Sequence, residues 1–485
     1  MIGRRRVGAV MAVLLVALLA PPARAADERP NGYVLDWDSG TGKSYVIPAA
    51  EILLFIGALN AFNRLDDPKT YDVDGHSIWK NFRTAPQTDT DPFSVNQLGH
   101  PYQGSVYHGL ARSAGLSYWE SFGYTLLGSY IWETAGETTP PSLNDHVATG
   151  IGGTFVGEAM FRMASLLLEG GGETPGIWRE LGAAVLSPGL GFNRLVFGER
   201  FKPVFPSRDP AVYVRLRVGA TLTTSVTNAN LSPVVREQDG SMDFFMIYGL
   251  PGKPGYKYTR PFDFFLFEFT AVPNAGTAAD AIENVTIRGL LIGDRYEVGD
   301  DYRGIWGLFG GYEYLSPQIF RVATTNFALG TVAQWWLTRT LALQGTALAG
   351  VGFGAAGTVG DRFERDYHYG VIPEALLGLR LIISDLAMID AQGRQYHVLG
   401  TGAAQAIDSS TIGRELIHRA NVGLTVRVYG PHALSVNYVV SSRDATAPNG
   451  AGRHQSVETV TLSYNFLGHT RFGVTEWRPG EMPAR

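Results

Sequence analysis

The feature that most constrains the fold of this chain is the alternation of side chains in its C-terminal half. Residues 457–466 carry apolar side chains at Val460, Leu462, Tyr464 and Phe466, and small polar ones at Thr459, Thr461, Ser463 and Asn465. Successive side chains of a β-strand point to opposite faces. The segment is therefore predicted to be a strand with an apolar, aromatic-ended face and a polar face, as in a membrane β-barrel.

Other segments repeat this pattern. Residues 212–223, 341–353, 416–428 and 436–440 alternate in the same way, and the other strand candidates are residues 242–249, 261–270, 284–292, 304–315, 320–332, 365–382 and 385–398. The total is about 12 strands, and an even number is the rule for bacterial outer-membrane barrels. The sequence therefore predicts an antiparallel β-barrel of the outer-membrane type over residues 206–468.

Charged residues within these strands help to distinguish a membrane barrel from a soluble β-sandwich. Arg215, Arg217, Arg419 and Arg427 lie in mid-strand and fit a wet lumen better than lipid. A soluble β-sandwich also alternates, and it stays open as the alternative. The apolar run 262–269 favours the barrel, because such a run at the edge of a soluble sheet promotes aggregation.

The N-terminus resembles a secretory signal in its three parts. Residues 4–6 are arginines, residues 10–20 are apolar, and Ala23-Arg24-Ala25 offers a cleavage site. Crossing a bilayer takes roughly 20 apolar residues, and Pro21-Pro22 interrupts this run too early. We expect residues 1–25 to be removed as a signal peptide and the mature protein to reach the outer membrane.

Composition excludes several classes of function. The chain has no cysteine, so disulfide scaffolds, thiolate metal sites, a lipid-modified cysteine and a cysteine nucleophile are ruled out. Removing residues 1–25 lowers Lys+Arg from 40 to 36 against 45 Asp+Glu, a net charge of −9. That acidity argues against a nucleic-acid partner, which requires a basic face. No cofactor and no metal are predicted.

Residues 26–205 have a helical pattern and are predicted to form a separate domain. We expect helices over Ala49–Arg64, Tyr102–Ala114 and Ser117–Glu137, and another from an N-cap at Ser142 to about Glu169. Residues 65–99 are polar and are predicted to be a loop. The glycines at 152, 153 and 157 are expected to pack closely against the preceding helix, at Gly128. The domain should plug the lumen or dock at its periplasmic mouth, and residues 469–485 should form a C-terminal extension.

Ionisable residues are densest between positions 96 and 158. The candidate polar cluster consists of His100, Tyr102, His108, Arg112, Glu120, Glu133, Glu137, Asn144, Asp145 and Glu158. Glu133 and Glu137 lie one helical turn apart and form either an acid/base pair or two solvated carboxylates. Buried charge is expensive unless it is paired, so the cluster is either a connected structural network or a functional site.

Several other residues of this region have a structural interpretation beside the chemical one. His100 and His108 can act as bases or metal ligands, but they form no known ligand motif, and structural hydrogen bonds are the simpler role. Ser142 and Asp145 are most simply a helix cap, since no nucleophile elbow surrounds the serine. Arg112 is expected to pair with a buried carboxylate.

This region resembles an uncharacterised family of exported bacterial proteins, classed under a domain of unknown function. The matching motifs are GHPYQGSVY, ARSAG, SYWES, GSYIWETAGE, PPSLND and GGTFVGE. The resemblance implies a helical N-terminal region and an outer-membrane β-rich C-terminal region, and it implies no reaction. Residues 457–466 are also similar to the terminal insertion signal of outer-membrane proteins, with Thr461 where Gly is usual and 19 residues after Phe466.

The preferred function is a transport or ligand-binding barrel that its helical domain gates or plugs. Outer-membrane lipids are the expected partners, with a small amphipathic or lipid ligand beside them. An alternative is an envelope hydrolase that modifies lipid or glycan with the Glu/His cluster. A purely structural envelope protein is the third.

Overall fold

The computed structural model describes residues 32–89, 91–228, 236–273, 279–359, 364–403, 413–446, 452–468 and 472–475. The signal sequence expected at residues 1–25 lies outside these ranges, as does most of the C-terminal extension. The chain divides into a helical unit, which ends at Arg208, and a barrel unit, which begins at Asp209 and also takes in residues 91–93.

Nine α-helices make up most of the helical unit. They are α1 Val46–Asn63, α2 Pro68–Tyr71, α3 Gly75–Arg83, α4 His100–Ser113, α5 Tyr118–Ala135, α6 Leu143–Asp145, α7 Gly153–Glu169, α8 Ile177–Leu186 and α9 Pro188–Val196, counted over the described residues. The π-helical segment Val95–Gly99 leads directly into α4, and a second one, His146–Gly152, leads directly into α7. The four long helices expected from the sequence are all present.

The loop expected over residues 65–99 is wrong in part, because it contains α2 and α3. Asp67 caps α2 and is followed by Pro68 at the first helical position. Asp74 and Ser77 form a capping box at the start of α3. Both start signals are visible in the sequence. The polar composition of the segment concealed them, since neither helix has a long apolar face.

Glycines bring α7 into close contact with α4. A Cβ on Gly153 would lie 2.6 Å from the Cα of Gly104, and one on Gly157 would lie 2.8 Å from the Cβ of His108. The expected partner was the helix that carries Gly128, which is α5. That expectation is wrong, since Gly128 instead makes room for the Tyr107 ring. The missing side chains allow the α4 and α7 backbones to approach within reach of short polar contacts.

Twelve antiparallel strands close into a barrel. They are β1 Val212–Asn228, β2 Gln238–Tyr248, β3 Phe265–Ala271, β4 Ile282–Val298, β5 Tyr302–Leu315, β6 Phe320–Trp336, β7 Leu341–Thr358, β8 Tyr367–Ile383, β9 Ala387–Ala403, β10 Arg414–Tyr429, β11 His432–Thr446 and β12 Gly452–Phe466. Each overlaps one of the 12 segments expected from the sequence. Pairing of β1 with β12 closes the ring, so the sandwich alternative is wrong.

On the closing strand β12, burial and register confirm which face is apolar. On β12, Leu462, Tyr464 and Phe466 are exposed, whereas Ser463 and Asn465 are buried inside. Ser463 lies opposite Gly219 of β1 and Ser435 of β11, so small residues share one level of the wall. Alternation therefore places the apolar set outside and the polar set in the lumen on the closing strand, as the pattern predicts.

Residues 91–93 pack with the barrel and not with the helices that flank them in sequence. The Phe93 ring stands edge-on to Tyr367 at 5.3 Å between centroids, and the Arg321 guanidinium lies 4.5 Å from its centre. The Phe93 amide donates to the Glu364 carbonyl at 3.0 Å. Phe93 is completely buried, and the helical pattern of residues 26–205 did not predict that it belongs to the barrel unit.

Candidate functional site

The structure sorts most of the polar residues expected between positions 96 and 158 into two buried groups. We call one the Glu158 cluster, made of His108, Arg112, Glu158 and Arg162, and the other the Glu133 cluster, made of His100, Glu133, Ser142, Asn144 and Asp145. Tyr102, Glu120 and Glu137 lie outside both. The ten candidates therefore do not form one site.

The Glu158 cluster joins two residues of α4 to two of α7. Oε2 of Glu158 accepts from Nε of Arg112 at 2.7 Å and lies 3.0 Å from Nε2 of His108. Oε1 accepts from Nε of Arg162 at 2.8 Å. Both oxygens are thus held by charged or polar donors, and the helices that bear these residues are the pair brought together by the glycines.

Aromatic rings and the backbone just after α4 enclose the guanidinium of Arg112. It lies 4.7 Å from the centre of the Phe161 ring and 4.8 Å from that of Phe205. It also donates to the Leu116 carbonyl. Aromatic rings against its flat faces and oxygen acceptors at its edges stabilise a buried guanidinium group. Arg112 therefore pairs with a carboxylate, as the sequence predicts.

Electrostatics keep this cluster charged despite its burial. Burial by itself raises the pKa of Glu158, but Arg112, His108 and Arg162 outweigh it and hold that pKa well below its ordinary value. Burial lowers the pKa of His108, and Glu158 offsets this only in part. The cluster therefore holds an ionised glutamate between two arginines and a neutral imidazole.

Arg162 is the member that the sequence analysis missed. It lies four residues after Glu158 on α7, which is the spacing that places two side chains on one helix face. This spacing is visible in the sequence, but the last of the family motifs, GGTFVGE, ends at Glu158. Arg162 is among the largest fully buried side chains in the described structure.

The Glu133 cluster forms where α5 ends and α6 begins. Oε2 of Glu133 accepts from the Ser142 amide at 2.8 Å. The Ser142 hydroxyl donates to Oδ2 of Asp145 at 2.5 Å and accepts from the Asp145 amide at 3.0 Å. Ser142 is thus the N-cap of α6, and Glu133 ties that cap to the end of α5.

Histidine and amide groups complete this cluster. Nδ1 of His100 lies 2.9 Å from the Thr149 hydroxyl, and its Nε2 lies 3.8 Å from Oδ1 of Asp145. The Asn144 amide donates to the same oxygen at 2.8 Å. His100, Asp145 and Ser142 therefore lie close together. Their contacts are those of a helix cap with an imidazole beside it. The serine bonds to the aspartate and not to the histidine.

Glu133 is electrostatically the opposite of Glu158. Burial raises its pKa well above the ordinary value, and the negative charges of Asp145, Glu137 and Asp89 raise it further. Its Oε1 is buried and has no hydrogen-bond partner among the residues that the structure describes. The Ser142 amide opposes this rise only in part, so the protonated form of Glu133 persists to a higher pH than is usual for a glutamate.

The three remaining candidates have local roles. Glu120 completes the capping box of α5, its Oε2 accepting from the Ser117 amide at 2.7 Å. Burial raises the pKa of Glu120, but hydrogen bonds from Tyr45, Ser117 and Lys43 together outweigh burial and lower the pKa to about 2. Tyr102 packs against the apolar cluster around Val106, and Glu137 lies beyond the C-terminus of α5.

The expected pair of Glu133 and Glu137 is therefore only loosely formed. Glu137 contributes charge near Glu133, but it does not share its hydrogen bonds in the described structure. Among the described residues, no three His, Asp or Glu side chains are placed to hold a metal ion together.

The barrel lumen holds a second set of charged residues, which we call the mid-lumen network: Glu268, Arg288, Glu313, Glu374, Arg394 and Tyr396. An Arg394 nitrogen donates to Glu268 at 2.6 Å, and Arg288 lies 3.3 Å from Glu374 and also contacts Glu313. Tyr396 donates to Glu313. The sequence predicted polar inner faces but not this set of pairs.

The network crosses the lumen from wall to wall. Glu268 is on β3 and Arg394 on β9, which lie six strands apart in a ring of twelve, so this bond joins opposite walls. Arg443 of β11 likewise donates to Thr358 at the end of β7 at 2.9 Å. Arg380 of β8 lies 4.8 Å from the centre of the Tyr213 ring on β1. These side chains fill the lumen at three places along the barrel.

Residues after the last strand add to this filling. Phe472 is fully buried in the apolar cluster that contains Tyr213, Trp336 and Met388. The Gly473 carbonyl accepts from Gln344 at 2.8 Å, and the Thr475 hydroxyl accepts from Gln334 at 2.9 Å. The described part of the extension therefore packs within the barrel unit.

Comparison with known proteins gives one family. A domain of unknown function, DUF3943, matches residues 85–189, which contain both polar clusters of the helical unit. No curated protein sequence matches the chain.

Several solved outer-membrane structures resemble about half of the chain. The Pseudomonas putida toluene transporter TodX is 8% identical, with a TM-score of 0.23, over 54% of this chain and 91% of its own. The COG4313 outer membrane channel from Pseudomonas putida F1 is 13% identical, with a TM-score of 0.25, over 54% and 96%. The translocator domain of autotransporter NalP from Neisseria meningitidis is 13% identical, with a TM-score of 0.21, over 52% and 86%. Such low scores carry no argument about function, which rests on the geometry described above.

Proposed function

We propose that this protein is a barrel of the bacterial outer membrane that transports or binds a small amphipathic or lipid ligand, and that the structure is its closed state. Export through a cleaved signal peptide is part of the proposal. The gating or plugging role of the helical unit stays a prediction. The observation that carries the proposal is the mid-lumen network inside a barrel whose outer face is apolar.

The outer face supports the membrane location. Exposed side chains on several strands are large and apolar, including Val218, Leu329, Leu377, Val422 and Leu462. Strands of 15 to 17 residues, such as β12 and β8, exceed the 9–11 or so that a tilted strand needs to cross a bilayer. Water does not favour so many exposed aliphatic groups around a closed cylinder, whereas acyl chains do.

The lumen supports gating rather than permanent conduction. A wall-to-wall ion pair blocks the path of a solute, yet two side chains can separate and pair again without unfolding the wall. Buried pairs are poor stabilisers compared with apolar packing of the same volume. Charged lumen residues therefore suit a barrel that opens, whereas a purely structural barrel is better served by an apolar filling.

The hydrolase alternative receives less support. Its candidate groups are buried, with exposed fractions of 8% for His100, 2% for Glu133 and 2% for Asp145. A general base has to come within hydrogen-bonding distance of its substrate. In addition, a helix cap that Glu133 joins to the end of α5 is enough to explain the contacts of the Glu133 cluster.

Single-channel recording in planar bilayers tests the proposal with the full-length protein. The wild type should be closed for most of the recording, and Arg394→Ala should open it because it removes the bridge between β9 and β3. Breaking one partner of a buried pair shifts a two-state balance by about 3 kcal/mol. That corresponds to an increase of about 100-fold in the open-to-closed ratio.

Arg414→Ala is the matched control, since Arg414 is exposed at the start of β10. Heat-modified mobility in gels verifies that both variants form barrels. A folded Arg394→Ala protein that remains as silent as the wild type, and that retains no ligand in native mass spectrometry, would refute transport and binding together.

A further inference from the structure

Helix α1 is apolar around its whole circumference. Its 18 residues, VIPAAEILLFIGALNAFN, contain one charged residue, Glu51. A helix of this kind is normally buried on all sides. Yet only 22% of α1 is buried, whereas the other long apolar segment, Leu143–Glu169, is 78% buried. By length and composition α1 is able to cross a membrane, and it is not the core helix of the unit.

One side of α1 accounts for its contacts with the helical unit. Ile52, Ile56 and Leu59 pack into a cluster with Tyr107 and Trp132. Glu51 is on this buried side, so the sole charge of the helix points away from solvent. The inner side therefore docks α1 on α4 and α5.

The opposite side has no polar residue. We call it the α1 face, and it consists of Val46, Ala50, Leu53, Leu54, Gly57, Ala58 and Ala61. The exposed fraction reaches 73% at Leu54 and 77% at Val46. Leu127 of neighbouring α5 is exposed as well, so the apolar surface extends beyond one helix.

Charged residues lie at both ends of the α1 face and not within it. Before the helix, Lys43 pairs with Glu120 at 3.3 Å. After the helix, Arg64 pairs with Asp72 at 2.5 Å, and Asp66 is exposed beside them. At 1.5 Å per residue α1 is about 27 Å long, close to the roughly 30 Å of hydrocarbon in a bilayer.

We propose that the α1 face lies against the acyl chains of the membrane that holds the barrel. This rests on the proposed membrane location. An uncharged stripe of bilayer length between two charged ends is the pattern that lipid selects. A protein partner does not require this pattern, because protein interfaces carry a polar rim beside their apolar centre.

Spin labelling tests the proposal directly, because the chain has no cysteine. Leu54→Cys and Leu127→Cys, each carrying a nitroxide, are reconstituted as full-length protein in phosphatidylcholine vesicles. Collisions with oxygen report lipid, and collisions with a water-soluble nickel complex report water. Val422→Cys on the outer face of β10 is the lipid control, and Asp66→Cys at the charged end is the water control.

The expected result is an oxygen-to-nickel ratio at Leu54→Cys several-fold above that at Asp66→Cys and similar to that at Val422→Cys. If Val422→Cys reports lipid while Leu54→Cys reports water, the α1 face is not a lipid contact, although the barrel is a membrane protein. If all labels report water, the membrane location itself fails. Dipolar broadening between labels at Leu54→Cys would show a second copy on this face and would equally overturn the inference.

Discussion

Glu158 and Glu133 are both almost completely buried in the helical unit, and they respond to burial in opposite ways. Two arginines and a histidine surround Glu158 and keep it ionised. Burial and the neighbouring carboxylates raise the pKa of Glu133 and favour its protonated form. The comparison teaches that burial by itself raises the pKa of both carboxyl groups, and that positive neighbours outweigh burial only at Glu158. α4 and α7 supply those positive charges to one cluster only.

The two clusters also oppose each other in pH dependence. The folded pKa of Glu158 lies below its unfolded value, so its stabilisation is complete above about pH 4.5 and is lost as pH falls toward the folded pKa. The folded pKa of Glu133 lies above its unfolded value. Its contribution is complete below about pH 4.5 and decreases as pH rises toward the folded pKa.

The largest expected effect is that of Glu158→Gln. It leaves two buried guanidinium groups without their carboxylate and should lower the stability of the helical unit by about 3–5 kcal/mol. Hydrogen exchange of the α4 and α7 amides measures this. Glu173→Gln, at an exposed position after α7, is the control and should change nothing. Equal protection in both variants would mean that the cluster does not hold these helices together.

Gly153→Ala should come next. Its Cβ would meet the Gly104 backbone, so α7 must move away from α4, with a loss of about 2–3 kcal/mol. Gly123→Ala on α5 has open space around its Cβ and should instead add about 0.5–1 kcal/mol. If the two alanines behave alike in thermal unfolding, close helix contact is not what builds the Glu158 cluster.

Glu133→Gln should have little effect at pH 5 and should stabilise the helical unit increasingly as the pH rises from 5 to 8, because the pKa of the buried wild-type carboxyl group is raised. The amide keeps an acceptor for the Ser142 N–H and does not ionise. Denaturant unfolding at both pH values measures the difference between them. A variant that loses stability at pH 5 would show that the group is ionised there, and the contrast with Glu158 would disappear.

Ser142→Ala should have the smallest effect. It removes the cap of α6 and should cost about 1 kcal/mol, while Ser142→Thr should restore most of it. Hydrogen exchange at the Asp145 amide reports the cap locally. A loss above that of Glu158→Gln would contradict a simple capping role and would favour a chemical one.

Much of the fold can be predicted from the pattern of side chains within each segment. Alternation located five of the 12 strands, because each strand must divide its side chains between lumen and exterior wherever it lies in the ring, and the other seven were predicted as strand candidates. The capping residue Ser142 located the start of α6 for a similar reason, since a cap bonds within its own turn. The sequence analysis also noted the ionisable residues of α4 to α7, but it treated them as a single group.

What the sequence by itself determined is therefore the period of each segment and the face of each side chain. The tertiary structure decided the rest, namely that Gly153 faces Gly104, that Arg112 reaches Glu158 and not Glu133, and that Arg394 bridges to Glu268 across the lumen. The partners in these ion pairs lie 46 and 126 residues apart in sequence. The side-chain pattern of a segment depends on residues a few positions apart, whereas electrostatic pairing depends on distances that exist only after the chain has packed.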